Sequence, residues 1–182
     1  ARLEDRRVLS VSVGVEAGVV TFQGDLASDS LSLSVDSEGS LQYRFDDGGT
    51  WATDLDSGAS EIVLKVQDIV QVQFLGGAGD DTLTIDFGQG SPVPAGGLFF
   101  DGGADHDALR IVGSGLQAAY TPDVTLPGSG VVSIGGKAIS FADLEPIDYD
   151  VVGGSLTLNL TGANDIVDIA ESTLTDGLTS AL

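Results

Sequence analysis

Apolar and polar residues alternate with a period of two in a succession of short runs, and glycine, aspartate and serine fill the gaps. That period puts successive side chains on opposite faces of an extended chain, so each run reads as a β-strand. Residues 8–15 place β-branched residues at alternate positions, and Ala17-Gly18 turns the chain into residues 19–22, which predicts a hairpin. Further strands are predicted at 31–35, 41–45, 50–53, 62–66, 69–74, 82–87, 98–100 and 109–112. The later ones fall at 131–134, 138–141, 147–152, 156–160 and 166–169. Asp46-Asp47-Gly48-Gly49 is a corner signal, and residues 89–97, with Pro92 and Pro94, form a loop because proline cannot donate within a central strand. Only 116–120 and 141–145 have room for a helical turn.

Between the strands one phrase returns. Gly76-Gly77-Ala78-Gly79-Asp80-Asp81 runs into Thr82-Leu83-Thr84-Ile85, and Gly102-Gly103-Ala104-Asp105-His106-Asp107 runs into Ala108-Leu109-Arg110-Ile111. Weaker copies stand at Ser28 to Leu33 and Asn164 to Ile169, and the common core is Asp, any residue, apolar, any residue, apolar. Asp107 follows Asp81 by 26 residues, Asp81 follows Asp29 by 52, and Leu55, between Asp54 and Asp56, sits halfway. A fixed period of this length signals stacked units that bury their apolar faces only against neighbours. The expected fold is therefore all-β, a β-solenoid of the parallel β-helix kind with Gly/Asp turns on one edge; the alternative is an antiparallel β-sandwich. The regularity breaks once, since Asp165 follows Asp107 by 58. Three parts are expected: a basic arm and assembly strand at 1–15, a single β-rich domain at 16–170 and a polar tail at 171–182.

Composition sharpens this picture. Twenty-six glycines count against long helices, since each weakens a helix interior by about 1 kcal/mol. The net charge is -21, from 28 acids and seven bases, and three of those bases, Arg2, Arg6 and Arg7, lie in the first seven residues. A surface so acidic repels nucleic acid and anionic lipid and attracts cations. No run reaches the roughly 20 apolar residues of a membrane helix. With no cysteine, rigidity must come from sheet pairing, packing or bound cations. The chain also has no methionine, not even at position 1, as expected of an N-terminus that was either processed or trimmed.

Residues 76–84 fit Gly-Gly-x-Gly-x-Asp-x-apolar-x, the nonapeptide of calcium-binding β-rolls, in which glycines turn carbonyl oxygens inward and Asp adds a hard anionic oxygen. If 26 residues make one coil, Asp80, Asp81, Asp101, Asp105 and Asp107 are the candidate Ca²⁺ ligands. The competing reading is plain turn chemistry, with Asp side chains accepting backbone N–H bonds. Catalysis finds little support. A lyase acting on acidic sugars needs bases that Arg44, Lys65, Arg110 and Lys137 are too dispersed to supply. His106, the only histidine, sits among acids in a turn, and no Gly-x-Ser-x-Gly elbow occurs. Trp51, Tyr43 and Phe45 read as either a sugar-stacking platform or the packed end of a hairpin, and Asn159-Leu160-Thr161 matches a glycosylation sequon.

Several phrases together carry a resemblance. Arg2-Leu3-Glu4-Asp5-Arg6-Arg7-Val8-Leu9-Ser10 resembles the LEPR-XLL-type element near the N-termini of large secreted surface proteins of planctomycete-like bacteria, with Asp5 where Pro is usual. Residues 76–103 and Ile139-Ser140-Phe141-Ala142-Asp143-Leu144-Glu145-Pro146-Ile147 resemble the repeat region and recurrent LEP turn of the same proteins. The resemblance implies an exported, extracellular or cell-surface β protein without catalysis. The expected function is a structural envelope protein, a subunit of a filament or surface layer that adds copies of itself head-to-tail. Its expected assembly residues are Arg2, Arg6, Arg7, Val8, Val11, Val13 and Val15, a basic arm and an apolar strand facing an acidic body. The rival for that strand is pairing within its own sheet. The alternative function is a calcium-dependent carbohydrate-binding or adhesive module recognising surface glycans.

Overall fold

The structure is a computed structural model that describes residues 11–159, apart from 46, 47, 57, 59 and 146. The strands run, in chain order, β1 (Ser12–Glu16), β2 (Val19–Gln23), β3 (Ser30–Val35), β4 (Leu41–Phe45), β5 (Gln71–Ala78), β6 (Thr82–Asp86) and β7 (Leu98–Ala104). They continue with β8 (Ala108–Ser114), β9 (Gln117–Pro122), β10 (Gly130–Ile134), β11 (Lys137–Ala142), β12 (Ile147–Val152) and β13 (Ser155–Leu158). They form two mixed sheets, one ordered β1-β2-β5-β7-β11-β10-β9-β13 and the other β12-β8-β6-β3-β4. The all-β expectation is therefore met in two sheets.

The chain crosses from the larger to the smaller sheet after β2, β5, β7 and β11. Each strand then lies parallel to its equivalent from the previous crossing. Phe22 pairs with Phe74, Phe74 with Phe100 and Phe100 with Phe141, while Leu31 pairs with Leu83, Leu83 with Leu109 and Leu109 with Ile147. The 52- and 26-residue spacings of the aspartates are thus the spacings of strand pairing itself. Because parallel partners put like positions on one face, apolar residues line up in rows that fill a core shared by both sheets. Phe22, Phe74 and Phe100 are fully buried in one such row.

Insertions explain where the period changes. A double step of 52 separates β2 from β5 because β4 and residues 46–70 intervene. Leu55, the halfway position, is fully buried but lies outside any strand. Residues 50–53 and 62–66 are not strands; isolated bridges join Ser40 to Lys65 and Tyr43 to Ala52, and a 3₁₀ turn occupies Val66–Asp68. Beyond β8, the antiparallel pair β9 and β10 enters the larger sheet before β11 returns beside β7. The expected helical turn at 116–120 is instead the start of β9, since its alternating residues pair with β10.

The predicted hairpin is present, with Val13 opposite Phe22 and Val15 opposite Val20. Val11 is buried and Val13 and Val15 are half-buried against the core, and this strand pairs within its own sheet, where among the described residues it is the edge strand. Arg2, Arg6, Arg7 and Val8 lie outside the described residues, as do the strand expected at 166–169 and the tail. Among the described residues, no helix is long and apolar enough to cross a membrane.

Candidate functional site

The crossings from β2 to β3, β5 to β6 and β7 to β8 share one layout: a glycine, four residues, then an aspartate, as Gly24 to Asp29, Gly76 to Asp81 and Gly102 to Asp107. The aspartates stack into a ladder. Asp29 N–H donates to Asp81 Oδ1 at 2.7 Å, and Asp81 N–H donates to Asp107 Oδ1 at 2.8 Å. The carbonyls of the same residues accept in the other direction, Asp29 from Thr82 and Asp81 from Ala108, both at 2.8 Å, and Asp107 from Glu145 at 2.7 Å. Asp81 and Asp107 therefore each bond the preceding crossing through the side chain and the following one through the backbone, while the Asp29 carboxylate accepts from Asp25 N–H in its own turn at 3.3 Å. Aspartate suits this because its short side chain reaches a neighbouring N–H with little rotamer entropy to lose.

An outer line of contacts runs beside the ladder. Asp80 N–H donates to Ser28 Oγ at 3.0 Å, His106 N–H to Asp80 Oδ1 at 3.1 Å, and Gly79 N–H to Asp105 Oδ2 at 3.1 Å. The glycines make room for the inner line. A Cβ on Gly76 would overlap Asp81 Oδ2 and lie 2.6 Å from the Gly102 carbonyl; one on Gly102 would lie 2.6 Å from Asp107 Oδ2 and 2.5 Å from the Asp143 carbonyl. Glycine is required here by close approach of neighbouring crossings.

Electrostatics set the inner carboxyls apart. Asp81 and Asp107 are fully buried, and Oδ2 of each has no hydrogen-bond partner among the described residues. Burial pushes the Asp81 carboxyl from the ordinary 3.8 up to about 7; the Asp29 N–H opposes this and the charges of Asp107, Asp29 and Asp25 add to it. Burial also raises Asp107, against the Asp81 N–H and with Glu145, Asp80 and Asp105, and it raises Asp101, with Asp143 adding. Near neutral pH the Asp81 carboxyl is therefore protonated in about half of the molecules.

The five residues read as calcium ligands are thus divided. Asp81 and Asp107 turn inward onto backbone N–H groups, Asp80 and Asp105 hold the exposed outer line, and Asp101 lies on β7 near Asp143. Among the described residues no group of three or more His, Cys, Asp or Glu side chains is placed to hold a metal ion. His106 is exposed. Tyr43 packs against Phe22 and Phe45 and donates from its hydroxyl to the Asp54 carbonyl at 2.8 Å, while Arg44 stacks 4.7 Å above the Trp51 ring. Asn159 Nδ2 donates to Thr121 Oγ1 at 3.0 Å.

Sequence reasoning passed over two features. Phe22, Phe74 and Phe100 repeat at the aspartate spacing, a signal open to any search for the period in apolar residues. Arg110, read as a dispersed base, lies 2.7 Å from Asp150 and 3.5 Å from Asp148 on the outer face of the smaller sheet. No protein-family profile matches the chain, and no curated protein or solved structure matches it significantly.

Proposed function

We propose that this chain is a structural cell-envelope protein, a subunit of an extracellular filament or surface layer that assembles head-to-tail through its N-terminal strand. In this reading the two sheets are the faces of a β-solenoid and the aspartate ladder is its stiffening edge. The observation that carries the proposal is the repetition of one parallel pairing at 52 and 26 residues, ending among the described residues in edge strands at both ends. Such a stack gains stability from each added neighbour, and a contact between unlike ends propagates without closing. Arg2, Arg6 and Arg7 give the N-terminal end a charge opposite to the acidic body. The site offers burial and hydrogen bonding in place of a nucleophile with a base.

Electron microscopy of the full chain beside a variant with Arg2, Arg6 and Arg7 changed to Glu tests the proposal. Wild-type protein is expected to form fibres, and the variant to form few, with the difference shrinking as salt rises. Fibres undiminished in the variant would remove the N-terminal arm from assembly, and a wild type that stays monomeric would remove assembly itself.

A second reading, a calcium-dependent carbohydrate-binding or adhesive module, draws on the Oδ2 atoms of Asp81 and Asp107, which have no partner among the described residues. It requires that Ca²⁺ displace the carboxyl protons, and so that glycan binding vanish with chelator.

A further inference from the structure

We infer that a cavity between the β6–β7 loop, the entry to β9 and the β10–β11 turn binds a small monocarboxylate with an apolar body, its carboxylate held by Lys137. The inference stands apart from assembly and from the aspartate ladder, whose rungs precede β6 and β8 in the chain, whereas this cavity follows them.

Three segments build the cavity. Phe87 follows β6 with its N–H donating to the Val112 carbonyl at 2.9 Å, and Gly90 N–H returns to the Phe87 carbonyl at 3.2 Å to turn the loop. Leu116 stands just before β9, and Ile134 ends β10, where it pairs with Lys137 across the turn. Phe87 and Leu116 are half-buried against the core and Ile134 is buried, so together they make an apolar wall. Gly113 lets two of them meet, since a Cβ there would lie 2.9 Å from Leu116 Cδ1 and 3.1 Å from Phe87 Cβ. The mouth stays open because Gly135 and Gly136, at φ 59° and 77°, turn the hairpin without a side chain. The space enclosed is about 280 Å³.

Ser91 and Lys137 supply the polar end. Lys137 Nζ donates to the Val93 carbonyl and, at 3.4 Å, to Ser91 Oγ. Pro92, Val93 and Pro94 are buried, and each proline ring fixes its own φ, so these acceptors hold the ammonium in place. An ammonium carries three donors and both acceptors are neutral, so one donor and the whole charge are left for a ligand. Among the described residues Lys137 joins no ion pair, in contrast to Arg110, which is matched by Asp148 and Asp150. The chain has 28 acids, yet no described one lines the cavity. A cation without a carboxylate, at the end of an apolar space, is complementary to an anionic head on an apolar body.

Size and charge narrow the class. A dry cavity of about 150 Å³ holds benzene, so one of about 280 Å³ takes a body of about six to ten non-hydrogen atoms. One ammonium matches one carboxylate; a second charge on the ligand would lie against Phe87, Leu116 and Ile134 and lose its water without a partner. Hexanoate meets both limits and is the probe.

NMR titration of the full chain, followed at backbone amides and methyl groups, tests the site. Hexanoate is expected to give saturating shifts at Ser91, Leu116, Ile134 and Gly135. Hexanol keeps the body and loses the charge, acetate keeps the charge and loses the body, and each is expected to bind at least about tenfold more weakly. Lys137→Met, checked by circular dichroism for an unchanged fold, is expected to bring hexanoate down to the level of hexanol while hexanol itself changes by no more than about twofold. Hexanol binding wild type as tightly as hexanoate would reduce Lys137 to a clamp on the loop and overturn the inference, a comparison that needs no variant. Acetate binding as tightly would make the ammonium a general anion contact and overturn it equally. So would hexanoate shifts that never saturate at the cavity residues, or that saturate elsewhere.

Discussion

The backbone N–H of Asp29 donates to the carboxylate of Asp81, 52 residues later, across 2.7 Å of buried space. Only parallel stacking of equivalent corners brings these residues together, so this bond is a direct measure of the architecture. Asp81→Ala would leave the Asp29 N–H buried without an acceptor and is expected to destabilise by about 1–3 kcal/mol. Asp81→Asn keeps an acceptor at the same place and should lose much less. Urea melts of the two variants check the difference; equal losses would mean that the side chain serves only to fill space.

Stability should fall as pH rises from about 4 to about 7. Burial holds the folded-state Asp81 carboxyl at about 7 against an ordinary 3.8, so the folded chain keeps a proton that the unfolded chain releases. The associated stability is complete below the unfolded value and lost by the time pH passes the folded one. Its upper bound is about 4 kcal/mol, at about 1.4 kcal/mol per pH unit. Asp107 and Asp101 are raised in the same direction. Asp36 and Asp123 are lowered, chiefly by the N–H groups of Ser40 and Thr125, and so favour the fold only above their unfolded values, with that support fading as pH drops below about 4. Melting temperature is therefore expected to peak near pH 4 to 5 and decline toward neutrality, with a shallower decline in Asp81→Asn. An identical slope in that variant would assign the effect to general repulsion among the acids.

Gly76→Ala is expected to cost about 2–4 kcal/mol, because its Cβ meets the Asp81 carboxylate and the Gly102 backbone, neither free to withdraw. Gly14→Ala, on β1 with nothing within 4 Å of the added atom, should stay within about 0.5 kcal/mol. Thermal melts of the pair isolate close approach from the general effect of removing a glycine.

Phe74 and Phe100 stack with ring centroids 5.0 Å apart and planes within 9°. Phe74→Ala removes the middle of the buried row and is expected to cost about 3–5 kcal/mol. Near-ultraviolet circular dichroism and denaturant unfolding would show it, and a loss below about 1 kcal/mol would mean that the row is loosely packed.

Calcium separates the two functional readings. With Oδ1 of Asp81 and of Asp107 already on an N–H, the ladder is expected to melt at the same temperature in Ca²⁺ and in chelator. A clear rise with Ca²⁺ would instead place a cation among the acidic turns and favour the adhesive module.

Much of the ladder was legible because its chemistry is local. Glycine followed by aspartate and an alternating apolar run describes a corner and the strand leaving it, and Asp29, Asp81 and Asp107 repeat at the interval of the pairing. What stayed hidden was the use of those acids. The same carboxyl serves equally as calcium ligand or N–H acceptor until a neighbour's position is known, and here the neighbour lies 26 or 52 residues away. Residues 62–66 looked like a strand because alternation reports which faces an extended chain presents, whatever pairs with it.

The sequence by itself determined the β character, the hairpin of Val13 with Phe22, the corners and their period, since these follow from side-chain alternation, glycine geometry and spacing. Only the tertiary structure decided that Asp81 and Asp107 face inward, that β9 and β10 interrupt the larger sheet, and that Leu156 and Leu158 on β13 are exposed. Those outcomes depend on which distant backbone groups compete for each partner, and that competition is resolved only when the strands of the two sheets are paired.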